Sequence, residues 1–307
     1  MGALVYQSFA DFTTADHEPK EFVLEPWLPK RGIGMVYGWR GVGKTFLVQW
    51  IAYAIATGAS VLDWEVSKPR RVLHVDAEMD PIDLVDRYKA IQATAMREGN
   101  GNPELAAENL MVLTDAQQED GIPNLALPEA RREIQKVLRE TGAEVLILDN
   151  LSTLCQDGSE NSDESWSGMQ AWLRELRREN ITVLLVHHSG KGGAQRGTSK
   201  HEDIMNTVIA LREHKANVEL CFEKHRGFAA PDKFDWQLDY DEREVCTIRR
   251  VVDQTATILA LVAAGVPYRS IKAQLGVSTG TISARVTEHR EKMVALAKEG
   301  VHTLRAV

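Results

Sequence analysis

Cysteine is scarce in this chain of 307 residues: Cys155, Cys221 and Cys246 stand far apart and without metal-ligand spacing. Such spacing argues against a cysteine zinc site and fits reduced thiols in a cytoplasmic protein. No apolar stretch is long enough to span a bilayer, and no signal peptide or lipidation motif is found. A cytoplasmic location without a membrane partner is therefore expected. Internal repeats and long low-complexity tracts are also lacking. Basic charge is short overall, with 36 Lys/Arg against 44 Asp/Glu and a net charge of −8. That balance argues against a generic nucleic-acid coat. The shortage is uneven: from Val251 to Val307 seven Lys/Arg face four Asp/Glu, a balance of +3, while the remainder stands at −11. Any nucleic-acid contact in the first 250 residues must come from local loops rather than from the overall field.

Glycine, by contrast, is concentrated where it has a task. Gly38-Trp39-Arg40-Gly41-Val42-Gly43-Lys44-Thr45 fits the phosphate-loop pattern G-x-x-x-x-G-K-[ST] at every fixed position. Its glycines let successive N–H groups turn inward around a phosphate. Lys44 brings a point charge to the outer phosphates, the Thr45 hydroxyl can ligate Mg²⁺, and the following helix points its positive end at the same anion. An apolar run over Ile33 to Tyr37 reads as a buried strand before the loop. Phe46, Leu47, Trp50, Ile51, Ala54 and Ile55 recur at helical spacing after it, with Gly58 as a stop. This context favours a nucleoside triphosphate site over a chance glycine-rich turn, and ATP with Mg²⁺ is the expected ligand pair.

Strands and helices alternate beyond that unit. Strands are expected over Arg71 to Val75, Leu110 to Leu113, Val145 to Leu148 and Ile181 to Val186, with helices over Pro81 to Arg97, Pro128 to Thr141 and Ser165 to Glu179. Later strands are expected over Glu202 to Leu211, Asn217 to Glu223 and Lys233 to Arg249. The pattern is that of an α/β domain with a mostly parallel sheet. Val145-Leu146-Ile147-Leu148-Asp149-Asn150 ends an apolar run in a carboxylate, which suits a magnesium-side Asp149, although many buried strands end in Asp at a turn. Glu78 lies just past another strand end, where a carboxylate can polarise a water over the γ-phosphate. A helix-start acid before Pro81 is the bland alternative, and Asp76 competes for the role.

Together these residues resemble the RecA-like hexameric helicases of the DnaB type, and most closely the RepA-type plasmid helicases. The resemblance spans about residues 22 to 250. It rests on the phosphate loop, Ala77-Glu78-Met79, Leu148-Asp149-Asn150, Glu160-Asn161-Ser162, the run from Val186 to Lys191, and Arg196-Gly197-Thr198-Ser199. It implies that Glu78 is the catalytic base and that His188 senses the γ-phosphate and relays its state to DNA-binding loops. Lys224-His225-Arg226-Gly227 resembles the Lys-x-Arg that such helicases insert into the neighbouring subunit's ATP site, where a cation stabilises the transferring phosphoryl group. A monomer would then be incomplete, and a homo-hexameric ring is the natural closure of a head-to-tail interface.

Ser189 to Lys200 holds four glycines, three cations and no acid. It reads either as a solvated linker or as a channel loop in which Lys191, Arg196 and Lys200 grip the phosphates of single-stranded DNA. His187 and His188 are adjacent on a strand and point to opposite faces, which excludes a shared metal. The tail is different in character. Thr255 to Ala264 reads as a helix, and Ile271 to Val286 resembles a helix-turn-helix. Gly276 takes the turn, Ser278 caps the second helix, and Ile271, Leu275, Val277, Ile282 and Val286 pack. Thr279, Thr281, Ser283 and Arg285 would face a major groove, unless the tail is a docking module without DNA.

The expected architecture is a RecA-like domain over residues 1–250 followed by a small all-α helix-turn-helix domain over 251–307. The expected function is that of an ATP-dependent ring helicase or translocase of the RepA type, acting in replication of a plasmid, phage or other mobile element. The alternative is a RecA-like regulatory ATPase that binds duplex DNA through its tail.

Overall fold

The computed structural model describes residues 4–16, 19–155, 163–189, 203–230, 232–241, 245–251 and 254–290. The chain divides into two compact units, Met1–Arg250 and Val251–Val307. In the first, α1 (Phe9–Thr14) precedes a small hairpin of β1 (Phe22–Leu24) and β2 (Leu28–Pro29). Then come β3 (Ile33–Gly38), α2 (Lys44–Thr57), β4 (Val72–Asp76), α3 (Pro81–Arg97), α4 (Pro103–Asn109) and β5 (Leu110–Thr114). They are followed by α5 (Pro128–Thr141), β6 (Val145–Asp149), α6 (Leu151–Leu154), α7 (Asp163–Arg178) and β7 (Thr182–His188). Four strands complete the unit: β8 (Thr207–His214), β9 (Asn217–His225), β10 (Phe234–Asp241) and β11 (Val245–Arg250).

These strands form one nine-stranded sheet in the order β11-β10-β9-β8-β3-β7-β6-β4-β5. From β8 to β5 every pair is parallel, and β9 to β11 add an antiparallel edge. The fold is thus the mostly parallel α/β sheet that the strand–helix alternation implies. Because side chains alternate across a strand, β3 sends Val36 into one core and Ile33, Met35 and Tyr37 into the other. The first core also holds Trp27 and Trp64, whose rings meet edge to face at 5.2 Å. The second packs α5 and α7 through Ile134, Leu138, Trp172 and Leu176.

Helix ends follow local chemistry. Asp80 caps α3 by accepting from Ile82 N at 2.8 Å, and Pro81 opens the first turn. Gly58 and Gly142 end α2 and α5 in the left-handed region, at φ 80° and 65°.

One expectation is corrected here. The stretch Lys233 to Arg249 is not one strand but the antiparallel pair β10 and β11. Helix α4 was not expected: it is only seven residues long and follows a Gly/Asn-rich loop, yet Asn102 caps it and Pro103 starts it.

The second unit holds α8 (Thr255–Ala263), α9 (Tyr268–Leu275) and α10 (279–290). Ile258, Ile271 and Ile282 form its core. Gly276 turns at φ 68°, and the Ser278 hydroxyl accepts from Thr281 N at 3.0 Å. No helix among the described residues is long and apolar enough to cross a membrane.

Candidate nucleotide-binding site

Three parallel strands end side by side and deliver the candidate site. β3 leads into the glycine loop, β4 ends at Asp76 and β6 ends at Asp149, with Asp76 and Asp149 directly paired in register. Ligands of open parallel sheets bind at this carboxyl edge.

Glycine is obligatory at two points of the loop for different reasons. A Cβ on Gly38 would lie 2.5 Å from the Leu211 carbonyl oxygen, because β8 pairs Leu211 with Gly38. Gly43 stands at φ 94°, closed to other residues, and a Cβ there would also press on Trp236 at 3.2 Å. Gly43 is the N-cap of α2 and supplies no side-chain acceptor, so the helix start faces the loop with its own amides. Lys44 is buried and crosses the loop: its Nζ donates to the Gly38 and Trp39 carbonyls at 3.0 and 2.9 Å. Burial holds its pKa below the ordinary lysine value, while Asp149 and Glu78 oppose that shift.

Asp76 and Asp149 are buried to within 2% of full enclosure. Burial first, and then the neighbouring Asp76 charge, push the Asp149 carboxyl up to about 7, against a hydrogen bond from Thr45. Asp76 Oδ1 accepts from the Glu78 and Met79 amides at 3.0 and 2.8 Å, so Asp76 shapes the turn that carries Glu78. The second carboxylate oxygen of each aspartate is buried without a protein partner. Two orphaned carboxylate oxygens beside a threonine hydroxyl are a hard, anionic donor set, which fits Mg²⁺.

Glu78 stands at the mouth of this pair with its side chain half exposed. Asn150 Nδ2 donates to Glu78 Oε2, and His188 Nε2 lies 3.5 Å from the same oxygen. Asn150 is itself fixed, since its Oδ1 caps α6 by accepting from Thr153 N at 3.2 Å. Burial, and then the Lys44 charge, lower the His188 pKa, so the imidazole is neutral at pH 7. Sequence reasoning did not single out Asn150 as a site residue. Its signal was its place in the Leu148-Asp149-Asn150 run that carries part of the resemblance.

The structure thus brings together Lys44, Thr45, Glu78, Asp149 and His188. Trp39, Arg40 and Gly41 form the exposed tip of the loop, and Val42 is buried beneath it. Lys224 and Arg226 lie elsewhere. The Arg226 amide donates to Asn206 O, and Lys224 pairs with Val208, near the strand end where Thr207 meets Gly34. Gly34 is four residues from Gly38, about 13 Å at the usual strand rise of about 3.3 Å per residue. These cations are therefore at the far edge of the sheet from their own loop. Lys191, Arg196 and Lys200 fall outside the described residues. Thr279, Thr281, Ser283 and Arg285 are all exposed on α10. They do not share one outer face, however: Thr279 and Ser283 flank one side of the buried Ile282–Val286 stripe and Thr281 and Arg285 the other. The Thr281 hydroxyl is already engaged with Ser278 Oγ at 2.8 Å.

Residues 4–194 match the protein family described as "AAA domain". No curated protein sequence matches the chain. Among solved structures, a KaiC-like protein from the hyperthermophilic archaeon Pyrococcus horikoshii is similar, with a TM-score of 0.51 and 16% identity over 75% of this chain and 94% of that one. At that identity the likeness is one of fold. With a family match over more than half of its length and a phosphate loop seated at the carboxyl edge of a mostly parallel sheet, the chain belongs to the AAA domain family and is a P-loop ATPase of the RecA-like kind.

Proposed function

We propose that the chain is an ATP-driven DNA helicase or translocase of the RepA type that works as a ring. The observation that carries this reading is the grip on Glu78. Its carboxylate is held by Asn150 and faced by His188, and His188 is the last residue of β7, next to the cation- and glycine-rich run from Ser189 to Lys200.

In this reading the loop amides and Lys44 bind the β- and γ-phosphates of ATP. Thr45 and Asp149 would hold Mg²⁺, which when bound neutralises charge on the phosphate oxygens. Glu78 accepts a proton from the attacking water as its oxygen bonds to the γ-phosphorus and the bond to the bridging β–γ oxygen breaks. ADP and phosphate leave. His188, neutral and in reach of Glu78, reports the change to the Ser189–Lys200 run, where Lys191, Arg196 and Lys200 grip the single strand. Lys224 and Arg226 serve the neighbouring copy, because they lie at the edge opposite their own loop.

Strand displacement from a forked duplex tests the proposal. ATP-dependent displacement by the wild-type chain, lost in Lys44→Ala, supports it. ATP hydrolysis without displacement or movement along single strands refutes it. One observation favours the second reading, a regulatory ATPase that binds duplex DNA: the C-terminal unit packs a core of its own around Ile258, Ile271 and Ile282 and leaves the polar residues of α10 exposed. Duplex binding by the full chain that fails in Arg285→Ala, with no response to single strands, would favour that alternative.

A further inference from the structure

Beneath the nucleotide site, one step further into the sheet, stands a histidine that hydrolysis at Glu78 does not use. His74 lies two residues before Asp76 on β4, so both side chains point to the same face, about 6.6 Å apart along the strand. Its register partner is Ile147, a core residue, and the imidazole is fully buried. One ligand atom from each of His74, Asp76 and Asp149 lies within 4.8 Å of the other two. Metal bonds of about 2.0–2.2 Å place ligand atoms up to about 4.4 Å apart across an ion, so the three need close by a few tenths of an ångström at most.

Each of the three is fixed through one atom and free at another. Asp76 Oδ1 accepts from the Glu78 and Met79 amides, and Thr45 donates to the Asp149 carboxylate. His74 Nδ1 lies 2.7 Å from Tyr88 Oη, and the two rings meet edge to face at 6.0 Å. His74 Nε2, Asp76 Oδ2 and Asp149 Oδ2 are buried without a hydrogen-bond partner among the described residues. A shared cation satisfies all three at once. With the ring proton on Nδ1, Tyr88 Oη accepts it and Nε2 keeps the lone pair that a metal needs. Two buried carboxylates also call for positive charge. Lys44, whose charge reaches Asp149, spends its Nζ on the Gly38 and Trp39 carbonyls.

We infer that His74, Asp76 and Asp149 form a site for a divalent first-row transition-metal ion, which binds in the absence of nucleotide. This ion is not the one that Thr45 and Asp149 would hold with ATP. That donor set is all oxygen and suits Mg²⁺, whereas an imidazole beside two carboxylates favours a transition metal. The ion lies inward of Asp149, towards the core, and shares that residue with the nucleotide site. Because Asp76 also shapes the turn that carries Glu78, the bound ion braces that turn before ATP arrives.

The test uses the full-length chain, freed of metal by a chelator and kept without nucleotide. Calorimetric titration with Mn²⁺ should find one ion per chain, bound more tightly than Mg²⁺ and less tightly than Co²⁺. The electron spin echo of the bound Mn²⁺ should show modulation from a directly bound nitrogen, which the oxygen donors of the nucleotide site cannot supply. His74→Asn should lose both the binding and the nitrogen modulation. Should that variant fail to fold, Tyr88→Phe leaves all three ligands in place and should weaken Mn²⁺ binding about 10–100-fold. No Mn²⁺ uptake by wild type would mean that a proton and not a metal joins the three side chains, and would overturn the inference. So would uptake through oxygen ligands only, Mg²⁺ bound as tightly as Mn²⁺, nitrogen modulation that survives in folded His74→Asn, or wild-type affinity in Tyr88→Phe. The inference does not rest on the helicase reading. A chain that binds Mn²⁺ through His74 but displaces no strand sinks only that reading, and one that displaces strands but takes up no Mn²⁺ sinks only this one.

Discussion

Asn150 offers the sharpest separation of positioning from folding. Its side chain has two roles, donating to Glu78 Oε2 and, at the cap of α6, accepting from Thr153 N and Oγ1. Asn150→Ala loses both and Asn150→Ser keeps a capping hydroxyl but cannot reach Glu78. A hydrogen bond to a charged group is worth about 1.5–3 kcal/mol. The Glu78 side chain is 52% exposed, so water replaces part of what is lost and the lower end applies. About 1.4 kcal/mol is a factor of ten in rate, and both variants should therefore lower kcat for ATP roughly tenfold. Nucleotide affinity should hardly change, because Asn150 is not part of the phosphate loop. Loss of the cap costs about 1 kcal/mol, so Asn150→Ala should be less stable than Asn150→Ser by that amount. Steady-state hydrolysis, nucleotide titration and urea melts on the same preparations read all three quantities. An unchanged kcat in Asn150→Ser, or a loss that appears wholly in ATP affinity, would refute the claim that Asn150 positions Glu78.

Three further outcomes follow from the same geometry. Gly38→Ala should lower stability by about 1–3 kcal/mol in urea melts, since its Cβ would meet the Leu211 carbonyl at 2.5 Å and β8 is held in register there; an unchanged midpoint would contradict the packing described. Lys30 and Lys68, and then Arg70, hold the Glu21 carboxyl down at about 2, so its contribution to stability is complete above its ordinary value near 4.5 and is lost as pH falls from there towards 2. The urea midpoint of Glu21→Gln should accordingly fall less than that of wild type across this window, and parallel curves would count against the cluster. Arg226→Ala should bind ATP but hydrolyse it poorly, and mixing it with Lys44→Ala should restore some turnover; no rescue in the mixture would remove Arg226 from the neighbour's site.

Much of this frame was legible in the residues. The apolar runs at Ile33, Val72, Val145 and Thr182 became strands because a parallel sheet buries both faces. Pro81 and Pro128 marked helix starts, and Gly58 marked an end, since each residue type fixes backbone geometry locally. The β10–β11 pair was harder to see: Phe234, Trp236, Leu238 and Tyr240 alternate like Cys246 and Ile248, so hydrophobic period alone does not reveal where one strand stops. The candidate site was legible as to its carboxylates, which end strands, but not as to its wiring. Asn150 and Glu78 are 72 residues apart and meet only because β4 and β6 are neighbours in the sheet. Nothing local in an Asn after an Asp announces that contact.

The central claim is that hydrolysis at Glu78 is coupled to a single strand of DNA. Its most direct test is the steady-state ATPase rate of the full-length chain with and without single-stranded DNA, beside Glu78→Ala. The expected result is strong stimulation by single strands in wild type, with Glu78→Ala still binding ATP but turning over none of it. A wild-type rate indifferent to single strands, or a Glu78→Ala chain that hydrolyses at the wild-type rate, would contradict it.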